Sequence, residues 1–213
     1  MACAICETRR PRRFCPGVRG DICAICCGTG REVTVDCPLD CEYLQEARKH
    51  DRPPSLAGLE MPNRDIEVSE QLIEENEPLL ASLSAALLNS ALETPGVIDS
   101  DAREALDALA RTYRTLQSGV IYETRPNNPL AAVIYSALQS AAREFRAEEH
   151  RRLGMTRTRD SHVLGMIVFL QRVEMDRNNG RRRGRAFIDS LRRFYSESSE
   201  PVAAPDRSSL ILP

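Results

Sequence analysis

Eight cysteines fall between residues 3 and 41, as Cys3-x2-Cys6, Cys15, Cys23-x2-Cys26-Cys27 and Cys37-x3-Cys41, with His50 just beyond. Zinc takes four soft ligands in a tetrahedron, and two cysteines separated by two residues supply half of that set from one tight turn. Cys3/Cys6 and Cys23/Cys26 are two such turns and together make the first expected site. Cys15, Cys27, Cys37 and Cys41 are then left for a second. Neighbouring side chains point in different directions, so the adjacent Cys26 and Cys27 can serve different ions. Eight thiolates make two four-cysteine sites and two expected Zn2+ ions, with His50 a spare that could replace one ligand. The individual pairings stay open.

The competing uses of these thiols can be weighed. No positively charged segment leads into an apolar stretch at Met1-Ala2-Cys3, and the longest apolar run, Val163 to Leu170, is far too short to span a bilayer. The expectation is a cytoplasmic protein without membrane attachment, where cysteines so dense favour metal over disulfides. An iron–sulfur cluster is the other use of four cysteines. A catalytic zinc needs an open position, which four cysteines do not leave, and thiol redox chemistry at Cys3-x2-Cys6 lacks a surrounding βαβ pattern. The plainest use of an all-cysteine site is structural. Residues 1–52 are poor in large apolar side chains, too few to fold unaided, and a structural zinc contributes roughly 10–16 kcal/mol.

Two interleaved four-ligand sites with short strands and a closing helix resemble the cross-brace zinc fingers of the HIT, MYND and B-box kind. The resemblance covers about residues 1–50. It departs at Cys15, which lacks a near partner, and in the missing terminal His-x3-Cys pair. A cysteine-rich start ahead of a helical body is also similar to uncharacterised bacterial proteins. The cross-brace resemblance implies a small α+β, treble-clef-like module that binds proteins or sometimes nucleic acids and does no catalysis.

The elements that must position these ligands follow from local pattern. Glu32 to Val35 alternates polar and β-branched residues and predicts a short strand; Asp40 to His50 predicts the closing helix. Gly17, Gly20, Gly28 and Gly30 mark turns. After the module (1–50), residues 51–64 read as a linker and 65–195 as an all-α bundle of four to five helices. The segment 196–213 reads as a disordered tail with an apolar end, Leu210-Ile211-Leu212. In the body, Pro78 kinks a helix over 68–92 or starts a second one. Asn128-Pro129 is a start signal, and Val163–Leu170 is apolar all round and so central.

The formal charge of −2 hides an asymmetry: Glu60 to Asp107 carries 12 acidic and 2 basic side chains, Arg111 to Arg193 carries 8 and 17. Such halves suit an internal contact, self-association into a homo-oligomer, or an anionic partner. Two arginine clusters, Arg9, Arg10, Arg12 and Arg13 in the module and Arg181, Arg182, Arg183 and Arg185 in the body, are the candidate nucleic-acid contacts. Solvated surface charge is the alternative. Arg157-x4-His162 resembles the arginine–histidine motif of helical HEPN ribonucleases. No phosphate loop, nucleophile elbow or His-Glu-x-x-His motif is present. The leading expectation is a non-enzymatic zinc-binding adaptor with a protein partner. Nucleic-acid binding comes second and a HEPN-like ribonuclease third.

Overall fold

The computed structural model describes residues 2–51 and 60–199, and these form a two-stranded sheet and eight helices. In the N-terminal part, β1 (Arg13–Cys15) pairs antiparallel with β2 (Gly20–Ile22), placing Arg13 opposite Ile22 and Cys15 opposite Gly20. The turn between them needs Gly17, where a Cβ would lie 2.3 Å from the Asp36 carbonyl oxygen. α1 (Ala24–Gly30) follows, so Gly28 and Gly30 belong to a helix and not to a turn. α2 (Glu42–Arg48) falls where the closing helix was expected.

The strand expected over residues 32–35 does not form. That stretch is a tight turn whose Val33, Thr34 and Val35 amides all donate to the Gly30 carbonyl, with a single bridge from Arg31 to Val35. Glu32 takes a left-handed φ of 52° at its head. The β-propensity of two valines is overridden because the Glu32 carboxylate is committed to buried partners described below.

The body is helical throughout. α3 (Glu70–Glu75) ends at Asn76, and α4 (Glu77–Glu93) begins with Pro78 in its first turn, where a missing N–H costs nothing. α5 (Asp99–Gln117), α6 (Pro129–Leu153), α7 (Asp160–Arg177) and α8 (Ala186–Ser199) follow. Among the described residues the body therefore has six helices where four or five were expected, because the chain breaks at Asn76. Local chemistry sets the boundaries. Ser69 Oγ accepts from the Leu72 amide, Asn128 Oδ1 from Leu130, and the Asp101 carboxylate reaches back to the Ile98 amide. Gly154 stops α6 at a φ of 70°.

α5 packs on α6 and α7, and α4 on α6, around Leu79, Leu83, Leu87, Leu106, Leu109, Ile134 and Leu138. α7 is the central helix: Val163, Leu164, Met166, Ile167, Val168 and Leu170 are all buried. Gly165 lets Leu72 of α3 approach, since a Cβ there would meet its Cδ2 at 2.8 Å. α8 runs on to Ser199, past Tyr195 where the last helix was expected to stop. Most of the expected linker (52–59) and the rest of the expected tail (200–213) lie outside the described residues. Among the described residues, no helix is long and apolar enough to cross a membrane.

Candidate metal centre

Cys3, Cys6, Cys23 and Cys26 lie close together and could hold a metal ion: their four sulfur atoms are all within 4.8 Å of one another. The backbone explains how. In the first knuckle the Glu7 amide donates to the Cys3 carbonyl at 2.8 Å, and Glu7 takes a left-handed φ of 54°. The Ala4 amide then donates to Asp21 O at 2.9 Å, laying this knuckle along β2. The second knuckle is the start of α1, where Cys23 is the N-cap and its sulfur accepts from the Cys26 amide at 3.4 Å. The Cys23 amide in turn donates to the Cys3 sulfur at 3.2 Å, joining the two knuckles.

The electrostatics are uneven across the four. Cys6 is lowered to about 5, chiefly by the Thr8 hydroxyl and then by the Thr8 and Arg9 amides. Cys26 is pushed up to about 12 by burial and by the neighbouring Cys23, Cys6 and Cys3 sulfurs. Arg9 is raised above its ordinary value by hydrogen bonding to Cys6 and attraction to it, then to Cys23, so a guanidinium stands beside the thiolates. Four thiolates around a divalent cation carry net negative charge, and such a partner offsets it.

The other four cysteines are gathered less tightly. Cys15, Cys27, Cys37 and Cys41 line one small cavity of about 20 Å³ together with Arg13, Arg31 and Tyr43. Burial pushes the Cys37 thiol up, and the charges of Glu32, Cys15 and Cys41 add to it. Arg13 Nη1 and Arg31 Nη2 approach the Cys27 sulfur at 3.8 and 4.0 Å, and the Arg13 guanidinium lies 3.9 Å over the Tyr43 ring. Among the described residues no second group of three or more ligand atoms converges as closely as the first. All eight cysteines are unpaired as disulfides. His50 is exposed on the far end of α2 and sits 3.5 Å from Glu46, away from both groups.

No protein-family model, no curated protein and no solved structure matches this chain.

The arginine clusters separate in the structure. Arg9, Arg10 and Arg12 are exposed. The second cluster is partly engaged with the module: Arg181 Nη1 donates to the Arg31 carbonyl at 2.9 Å, Arg183 sits 3.5 Å from Asp36, and the Arg185 amide donates to Glu32 at 3.0 Å while its Nε donates within the body to the Val97 carbonyl at 2.7 Å. Only Arg182 of that run is exposed without a described partner role in this contact. Of the HEPN-like pair, Arg157 is exposed, its amide donating to Glu149, while His162 Nδ1 accepts from the Arg159 amide in the first turn of α7.

Sequence reasoning missed the polar hub that holds module and body together. Glu32 is 1% exposed, and its Oε1 accepts from Arg48 Nη2 at 2.7 Å and from the Arg185 amide at 3.0 Å. Its Oε2 accepts from Asn179 Nδ2 at 2.8 Å, and its carbonyl from the Arg183 amide at 2.8 Å. Arg48 also reaches Asp189 of α8 at 2.5 Å, and Asp189 takes Arg192 and Arg193 as well. Burial pushes the Asp189 carboxyl up, but Arg48, Arg193 and Arg192 outweigh it and hold it below the usual range.

Proposed function

We propose that this chain is a non-enzymatic zinc-binding adaptor: its N-terminal module holds two Zn2+ ions and recognises a protein partner, and the helical body is the scaffold. The single observation carrying it is the convergence of Cys3, Cys6, Cys23 and Cys26. Four cysteine ligands close a tetrahedral site and leave no position for substrate or water, which favours structure over catalysis. The common cavity of Cys15, Cys27, Cys37 and Cys41 supports the second ion and a cross-brace arrangement. The reducing interior of a cell, where thiols stay available to metal, fits the chemistry.

The module's outer surface supports the partner reading. Ile5 and Ile25, on the two knuckles, and Phe14 on β1 are exposed, and so are Arg9, Arg10 and Arg12. Exposed apolar anchors beside arginines suit an acidic protein segment with an apolar residue of its own. The nucleic-acid reading keeps the arginines of the first cluster, while Arg181 and Arg183 of the second are spent on the contact between module and body.

The test is capture of tagged full-length chain from its native cell, with and without nuclease, beside Cys3→Ser/Cys26→Ser and Phe14→Ala variants. A defined protein that survives nuclease and is lost from both variants is the expected result. Partners that vanish on nuclease treatment would replace this reading with nucleic-acid binding through Arg9, Arg10 and Arg12.

A further inference from the structure

The module has two halves that differ in what they touch. Residues 31–51 supply its hydrogen bonds and ion pairs to the body: the Arg31 carbonyl, both ends of Glu32, Asp36, the Leu39 carbonyl, Arg48 and Asp51. Leu39 is even part of the body's apolar core. Residues 2–30 make no such bond to the body among the described residues. Their buried side chains, Cys3, Cys15, Ile22, Cys23 and Cys26, form a separate cluster that includes Val35.

The two candidate metal groups divide along the same line. Cys3, Cys6, Cys23 and Cys26 all belong to the outer half, so an ion there organises that half alone. Of the second group, Cys15 and Cys27 belong to the outer half, whereas Cys37 and Cys41 belong to the half fixed to the body. We propose that the second group is the fastener of the molecule, its metal ion tying the outer half with the first site to the helical body. The proposal rests on the two-ion reading above and assigns the second ion a separate role.

The remaining ties across the line are a local turn and a few packed groups. At the Gly30–Arg31 crossing the Arg31 amide donates to the Cys27 carbonyl and the Val33, Thr34 and Val35 amides to the Gly30 carbonyl; farther off, Gly17 packs on the Asp36 carbonyl, Arg13 stacks on Tyr43, and Val35 and Cys37 pack into the outer cluster. Arg13 and Arg31, one from each half, both face Cys27. The Nε atoms of both are buried without a hydrogen-bond partner, so two cations are aimed at a site that gains negative charge when its thiolates bind metal. Cys15, Cys27, Cys37 and Cys41 line one cavity from both halves, so an ion held there would join them through four ligands.

The experiment is 15N relaxation on the full chain, with zinc counted by native mass spectrometry. In Cys37→Ser/Cys41→Ser the expected result is one ion kept. Amides of residues 4–24 then leave the rotational correlation time of the body, while those of α2 keep it. Residues 4–24 still tumbling with the body would overturn the proposal, and so would collapse of the α4–α8 amide spectrum, because the fastener is not part of that core. Arg48→Met, which breaks the polar hub and spares all eight cysteines, is expected to keep two ions and to loosen residues 4–24 and α2 together; release of 4–24 alone would also overturn it. A native chain that binds one ion would instead sink the two-ion reading underneath.

Discussion

The two regions of this molecule have cores made of different material. In the module the buried cluster is four cysteines with Ile22 and Val35. In the body it is one continuous cluster, mostly leucine, alanine, valine and isoleucine, contributed chiefly by α4 to α8. Apolar burial spreads stability over many side chains, each worth a few kcal/mol at most. Ligand chemistry concentrates it in a few atoms whose loss removes the whole contribution. The same chain thus contains one part that fails gradually and one that fails at once.

On the proposed zinc-binding reading, that contrast can be broken most directly by taking the metal away. A chelator strong enough to compete with four thiolates removes a contribution on the order of 10–16 kcal/mol. Residues 2–30 are expected to lose amide protection while the helical signal of α4–α8 persists. If protection of residues 2–30 survives a metal-free chain, the module has a core of its own and the comparison collapses.

A mid-sized effect sharpens it from the other side. Leu106 is fully buried between the packed helices, and Leu106→Ala is expected to lower the unfolding free energy of the body by about 2–5 kcal/mol. The zinc content of the folded chain should not change. A loss of bound metal in this variant would show that the module depends on the body's packing.

The smallest expected effect, taken over one pH unit, is in pH. Asp99 at the start of α5 is buried and accepts from the Phe187 and Ile188 amides at 3.0 and 3.2 Å, capping α8. Burial outweighs those bonds and raises its carboxyl from 3.8 to about 7. Between those values the folded chain holds a proton that the unfolded chain has released. Its stabilising contribution is therefore complete below 3.8 and is lost as pH rises towards 7, with a slope of at most about 1.4 kcal/mol per pH unit. Asp189 works in the opposite sense and in another window, losing its contribution as pH falls below 3.8. Denaturant midpoints of wild type and Asp99→Asn between pH 4 and 7 check this: the variant should be flatter, and equal slopes would refute it.

What could be read in the sequence was what is local. Two Cys-x2-Cys pairs form knuckles because two intervening residues fix the turn, so the group of Cys3, Cys6, Cys23 and Cys26 was legible. Asn128 before Pro129, Gly154, and an all-apolar stretch in α7 carry their own boundaries for the same reason. Glu32 was not legible. It stands in a stretch patterned like a strand, and the partners that override that pattern, Asn179 and Arg185, lie 147 and 153 residues away. The run Arg181 to Arg185 read as phosphate contacts or as solvated surface charge for the same reason: nothing nearby in the chain shows that Arg31, Glu32 and Asp36 receive it.

The distance between Glu32 and its partners also bears on how the chain is made. At a synthesis rate of about 5–20 residues per second, roughly 8–30 s pass between the appearance of Glu32 and that of Arg185. Through most of that interval the carboxylate has Arg48 alone of its side-chain partners, and the part of the body that residues 31–36 pack on has not been made. The set of Cys3, Cys6, Cys23 and Cys26 is complete as soon as Cys26 has been added, long before the body exists to receive it. On the proposed reading, metallation of the N-terminal knuckles and docking onto the bundle are thus separated in time by the order of the sequence itself, and a nascent chain offers these thiols to metal before the bundle exists.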